Sequence, residues 1–130
     1  MSIALPPGIY TITNGSGQTV VDADAEGGKL ALSNESSGAL NQQWIISGDG
    51  TIKSSSSDHH ASATTGSSST ISRSKTDMPW TIQVQSTGSD NSFTGYITTT
   101  DGKNYHWAHD GNDISLQNKP TTTQWTFTSV

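Results

Sequence analysis

Short runs in which apolar and polar residues alternate dominate the chain. They include "IYTI" at 9–12, "KLALS" at 29–33, "TIQVQ" at 81–85, "YITT" at 96–99, "DISLQ" at 113–117 and "WTFTSV" at 125–130. A two-residue period is the mark of half-buried strands, and no segment reads as a helix. Turn signals separate the runs: "NGSG" at 14–17, "EGG" at 26–28, "GDG" at 48–50, "TDG" at 100–102 and "HDGND" at 109–113. "SSSS" at 54–57 and "GSSS" at 66–69 look like low complexity, but isolated apolar residues at strand spacing surround them. They read as ordered, loosely specified chain rather than as flexible linker.

The pattern repeats. Trp44, Trp80 and Trp125 lie 36 and 45 residues apart, each followed by Ile or Thr and then by Ile or Phe. An alternating strand precedes each one: "KLALSN" at 29–34, "STISRS" at 69–74 and "DISLQN" at 113–118. Ile71 and Leu116 stand nine residues before their tryptophans and Leu32 twelve before its own, which aligns these three apolar positions. The chain thus divides into three units of roughly 40 residues, with about four strands each. Three such units are too few to close a propeller, whereas three four-stranded units closing on one another make a β-trefoil. The expected fold class is all-β: a single β-trefoil domain over 1–130 with pseudo-three-fold symmetry, its repeats near 8–44, 45–80 and 81–130. The three tryptophans are then core residues.

Composition narrows the function. Only 29% of residues are apolar and 13% charged, while Ser and Thr supply 40 of 130. Scarce charge argues against disorder. The net charge is −5 with scattered Lys and Arg, which excludes a clustered phosphate-binding patch, so neither nucleic acid nor an anionic membrane is expected as a partner. There is no cysteine. With no signal-peptide pattern in "MSIALPPGIY" and no membrane-length apolar run, the expectation is a cytoplasmic protein. His59 and His60 are adjacent, and His106 and His109 are split by a turn, so no metal site and no cofactor are expected. The sequence carries no nucleophile elbow and no phosphate loop, which points away from an enzyme.

One stretch adds a resemblance. "TVVDADAEGGKLALSNESSGALNQQW", residues 19–44, resembles a repeat of the ricin-B-like (R-type) lectins, whose marks are Gln-x-Trp near the repeat end and Val-Asp on an earlier strand. Gln42-x-Trp44 and Val21-Asp22 carry those marks, while Met78-Pro79-Trp80 and Gln124-Trp125 are degenerate versions. In size and lack of cysteine the chain is similar to the R-type lectins of mushroom fruiting bodies. The resemblance implies glycan binding through shallow pockets, galactose, N-acetylgalactosamine or fucosylated glycans as ligands, haemagglutination and a role in defence.

For sites, the resemblance gives Asp22 the carboxylate role toward paired sugar hydroxyls and Asn41 with Gln42 the amide role, with Asp24 and Asn34 beside them. The alternative is that Asp22 or Asp24 simply ends a strand by bonding turn backbone. Where the family has an aromatic residue at the end of the "KLALS" strand, this chain has Leu32, Ser33 and Asn34. In the third unit His106 falls near the place of Asp22. Tyr105, Trp107, Asp110, Asn112 and Asn118 there combine a stacking face with hydrogen-bonding groups, the alternative being a hairpin whose Tyr or Trp plugs the barrel. The second unit offers His59 and His60, with Arg73 and Asp77 near. The rival function on the same fold is a protease inhibitor acting through a projecting loop at 54–69 or 86–92. A homodimer is one expected source of multivalence.

Overall fold

The computed structural model describes residues 3–22, 29–36, 38–63, 70–88, 92–100, 102–103, 105–118 and 123–130. Within them the chain forms thirteen strands: β1 (Ile3–Ala4), β2 (Gly8–Thr13), β3 (Gln18–Asp22), β4 (Leu30–Asn34), β5 (Trp44–Ile46), β6 (Ile52–Ser54), β7 (His60–Ser62), β8 (Ser72–Ser74), β9 (Thr81–Thr87), β10 (Ser92–Thr98), β11 (His106–Asp110), β12 (Asp113–Gln117) and β13 (Trp125–Ser129). The only helical element among the described residues is a 3-10 turn, Leu40–Gln42.

Six strands close a ring. β2 pairs with β5, β5 with β6, β9 with β10, β10 with β13 and β13 with β2, all antiparallel. The remaining seam, β6 to β9, is held by a bridge between Thr51 and Pro79 and by the Trp80 N–H donating to the Gly50 carbonyl at 3.0 Å. Gly50 sits at φ +89°, and a Cβ there would run into the Trp80 carbonyl, so this tight seam admits only glycine.

Of the other seven strands, β1 pairs antiparallel with β9, and six form three hairpins, β3–β4, β7–β8 and β11–β12. Bridges join them in a cycle: Ala31 with Asp113, Lys29 with Ser72, and Thr70 with Ser115. Each bridge takes the residue before an apolar position in one hairpin and the residue after it in the next. Those apolar positions are Leu30, Ile71 and Ile114, all fully buried. This corrects the alignment expected from spacing to the tryptophans. Ile71 corresponds to Leu30 and Ile114, and it is Arg73 that stands where the other hairpins have Leu32 and Leu116. Strand register agrees, with Val20 opposite Leu32, Ala61 opposite Arg73 and Trp107 opposite Leu116.

The core follows the strand alternation. In β2, Tyr10 and Ile12 point inward and Ile9 outward. Trp44, Trp80 and Trp125 are buried, at 1%, 2% and 0% exposure. Each indole N–H donates to a hairpin carbonyl: Trp44 to Val20 at 3.1 Å, Trp80 to Ala61 at 3.0 Å and Trp125 to Trp107 at 3.2 Å. A tryptophan is therefore both filler and tie, joining a ring strand to its own hairpin. Trp107 packs edge-on against Trp80 and Trp125, with centroids 5.4 and 6.1 Å apart. The serine run at 54–57 is packed chain, with Ser54 buried and bonded to Ser56, while 66–69 lies outside the described residues.

Candidate functional site

Asp22 ends β3, and alternation after Val20 turns its side chain toward the interior. Its side chain is fully buried, and Oδ1 lies 3.3 Å from Arg73 Nε. That contact is an ion pair without an aligned hydrogen bond. Oδ2 accepts the Ser57 hydroxyl at 2.8 Å. Arg73 Nη2 stands 2.9 Å from His59 Nδ1. A guanidinium can only donate, so Nδ1 is the acceptor in this contact. The His59 backbone N–H donates to Ser57 Oγ at 3.2 Å. Asp22, Ser57, His59 and Arg73 thus form one polar cluster between two hairpins. The carboxylate assigned to a sugar is here the counter-ion of an arginine that occupies a leucine position.

Gln42 is likewise turned inward. It is 4% exposed, its Oε1 accepts the Ser36 N–H at 2.7 Å and its Nε2 donates to the Asn34 carbonyl at 2.9 Å. A buried amide that satisfies one backbone donor and one acceptor clamps segment 34–36. Asn34 and Asn41 are exposed, and Asp24 lies outside the described residues.

In the third unit the expected stacking face does not form. Trp107 is fully buried, and strand alternation points it into the core opposite Leu116, so it plugs the interior. His106 is also buried, at 2% exposure, with Nε2 lacking a hydrogen bond. It is not the counterpart of Asp22. Because Val20, Ala61 and Trp107 hold matching places, the residue two places on from Trp107, His109, takes that position. His109 is half-buried, edge-on to Trp125 at 5.8 Å. Tyr105 is half-buried against the core. Asn112 is exposed, its side-chain oxygen accepting from Gln18 Nε2 at 3.1 Å and its carbonyl from the Leu32 N–H at 3.0 Å. Asn118 is exposed, and for Asp110 only the backbone, in β11, is described. The third-unit residues are thus split between core and surface.

Two of the surface depressions are lined by described residues. One, of about 210 Å³, lies where residues 35–36 and 38–43 meet Thr11 of β2 and the end of β13. The other, of about 240 Å³, lies over Ile46–Gly50 and Trp80–Ile82. In the second, Asp49 is held below its ordinary carboxylate range by the Thr51 backbone N–H, and then by the Thr51 hydroxyl. These donate at 3.1 and 2.9 Å. Sequence reasoning missed Ser57 and His109. Their one signal was register: correct alignment of the three hairpins puts His109 in line with Asp22 and exposes Arg73 as a charged residue in an apolar place.

No family model matches the chain, and no curated protein matches it by sequence. Solved structures do. The ricin B-like lectin of Macrolepiota procera in complex with lactose superimposes with a TM-score of 0.73 at 17% identity, over 98% of both chains. The Rhizoctonia solani agglutinin gives 0.71 at 24% identity, over 98% of this chain and 99% of that one. The β-trefoil lectin of the Vibrio vulnificus hemolysin/cytolysin, with N-acetyl-D-lactosamine bound, gives 0.61 at 14% identity, over 95% of each. At these identities the likeness is one of fold: along nearly its whole length this chain is an all-β closed barrel similar to the β-trefoil and ricin B-like lectins.

Proposed function

We propose that the chain is a carbohydrate-binding lectin without enzymatic activity, built as a β-trefoil of three four-stranded repeats near 8–44, 45–80 and 81–130. The observation that carries the reading is the match over 98% of both chains to a lectin in complex with lactose. The three indole-to-carbonyl bonds and the cyclic bridges among the hairpins support the repeat assignment. Lactose and N-acetyllactosamine share a terminal galactose, which makes galactose-ended glycans the first ligands to test. The described depressions are small, about 210 and 240 Å³, so one monosaccharide should bind at roughly millimolar level, about −4 kcal/mol. Useful strength then requires several sites, or a dimer, meeting a multivalent surface.

A broad glycan array probed with the labelled protein tests this, with galactose-ended glycans expected among the positives. A blank array, together with inhibition on a parallel protease panel, would overturn it in favour of the inhibitor reading.

A further inference from the structure

The buried polar cluster absorbs Asp22 and the core absorbs Trp107, which leaves open where a glycan sits. We propose that the depression between residues 35–36 and 38–43 on one side and the end of β13 on the other is a binding site for a terminal hexose, an inference that rests on the lectin reading above. Its lining has the two kinds of surface a hexose needs. Glu35 brings a carboxylate able to accept from two neighbouring hydroxyls, and Ser36, Gln43, Thr11 and Thr128 bring hydroxyl and amide groups that donate and accept. Val130 brings an apolar surface for the C–H side of the ring.

A second observation points to the same place. The exposed large hydrophobic side chains among the described residues are Ile9, Leu40 and Val130, at 43%, 56% and 65%. Val130 lines the depression, its N–H donates to the Ile9 carbonyl at 3.0 Å, and Leu40 follows the lining residue Ala39. An exposed apolar side chain in the lining of a polar hollow, as Val130 is here, is what an amphipathic ligand such as a sugar would cover.

The wall of the hollow is also braced by its own lining residue Gln42. Gln42 ties the Ser36 N–H and the Asn34 carbonyl, and the Ser55 N–H donates to the Gln43 carbonyl at 2.9 Å. The wall that carries Glu35 and Ser36 is therefore set before any ligand arrives, which lowers the ordering cost of binding.

The test is a titration of the isotope-labelled full chain with lactose, followed by amide chemical shifts and paired with the glycan array. Shifts centred on Glu35, Ser36, Gln43, Thr128 and Val130 are expected. Glu35→Gln, which keeps size and loses charge, should weaken lactose binding on the order of tenfold or more with an unchanged melting temperature. Thr128→Val provides a second, uncharged probe of the opposite wall and should weaken it too. Shifts centred elsewhere, with both variants binding as the wild type does, would overturn this site while leaving the lectin reading intact. Absence of any glycan binding would remove both.

Discussion

Arg73→Ala is the substitution whose consequence the structure fixes most closely. Arg73 holds a place that Leu32 and Leu116 hold in the other hairpins, and its side chain is 13% exposed beside a fully buried Asp22. Removing the guanidinium leaves the carboxylate with the Ser57 hydroxyl and takes the donor from His59 Nδ1. Breaking a buried pair by deleting one partner costs about 3–5 kcal/mol, because the remaining charge stays desolvated. At this chain length each kcal/mol moves the midpoint by roughly 3–5 °C, so a fall of about 10–20 °C is expected. The informative control is the double variant Asp22→Asn/Arg73→Leu. It removes both charges and restores the leucine of the other two hairpins, and should recover most of the loss. Urea and thermal unfolding followed by tryptophan fluorescence, run as a double-mutant cycle, give the coupling directly. A loss below about 1 kcal/mol for Arg73→Ala would place the pair among ordinary surface ion pairs and refute the reasoning.

Three further perturbations follow from the geometry. Trp125→Phe should cost about 1–3 kcal/mol more than Trp107→Phe, since both lose the same volume but only the Trp125 indole donates to a buried carbonyl; equal unfolding midpoints in urea would contradict this. Gly50→Ala should destabilise by at least about 2 kcal/mol, because it combines strain at positive φ with a clash against the Trp80 backbone, and calorimetry with an unchanged melting temperature would show the seam to be slack. Asp49→Asn tests a pH effect whose sign is set by the lowered carboxyl: stabilisation is present above the unfolded-state value and is lost as pH falls through the folded one. The wild type should therefore be the more stable at neutral pH, and the gap should close below about pH 4, measured as melting temperature against pH. A gap constant across that range would assign the effect to something other than the Thr51 bonds.

The fold was largely legible because the strand period and the three tryptophans are local signals. The runs at 9–12, 81–85, 113–117 and 125–130 lie within β2, β9, β12 and β13 or overrun them by one residue. What could not be read was the direction of individual side chains near the hairpins. Trp107 stood outside the tryptophan spacing and so looked like a surface aromatic, yet it occupies the place of Val20 and Ala61. The size of each depends on the others. Ala61 in the second hairpin is small, and the large indole of Trp107 packs edge-on against Trp80, whose N–H bonds the Ala61 carbonyl. A bulky residue in one unit is thus offset by a small one in another, as close packing of a shared core requires.

The same exchange explains why Asp22 reads as a ligand in the sequence and is a buried counter-ion in the structure. A carboxylate at a strand end followed by a glycine-rich turn reads equally as a ligand or as structure, and local sequence holds nothing that separates the two. The deciding residue, Arg73, lies 51 positions away in a different hairpin. Spacing to Trp80 placed Ile71, not Arg73, in line with Leu32, so the arginine did not show as a charge in an apolar place. When three repeats share one interior, each can lose a core residue or a site residue if another unit compensates. Backbone register, which depends on the cycle of bridges through residues 31, 72 and 115, is retained because every unit needs it. Register is accordingly the sounder guide to equivalence in this chain. By that guide the positions to compare across the three units are Asp22, Ala63 and His109, which share a place in the barrel but not a chemistry.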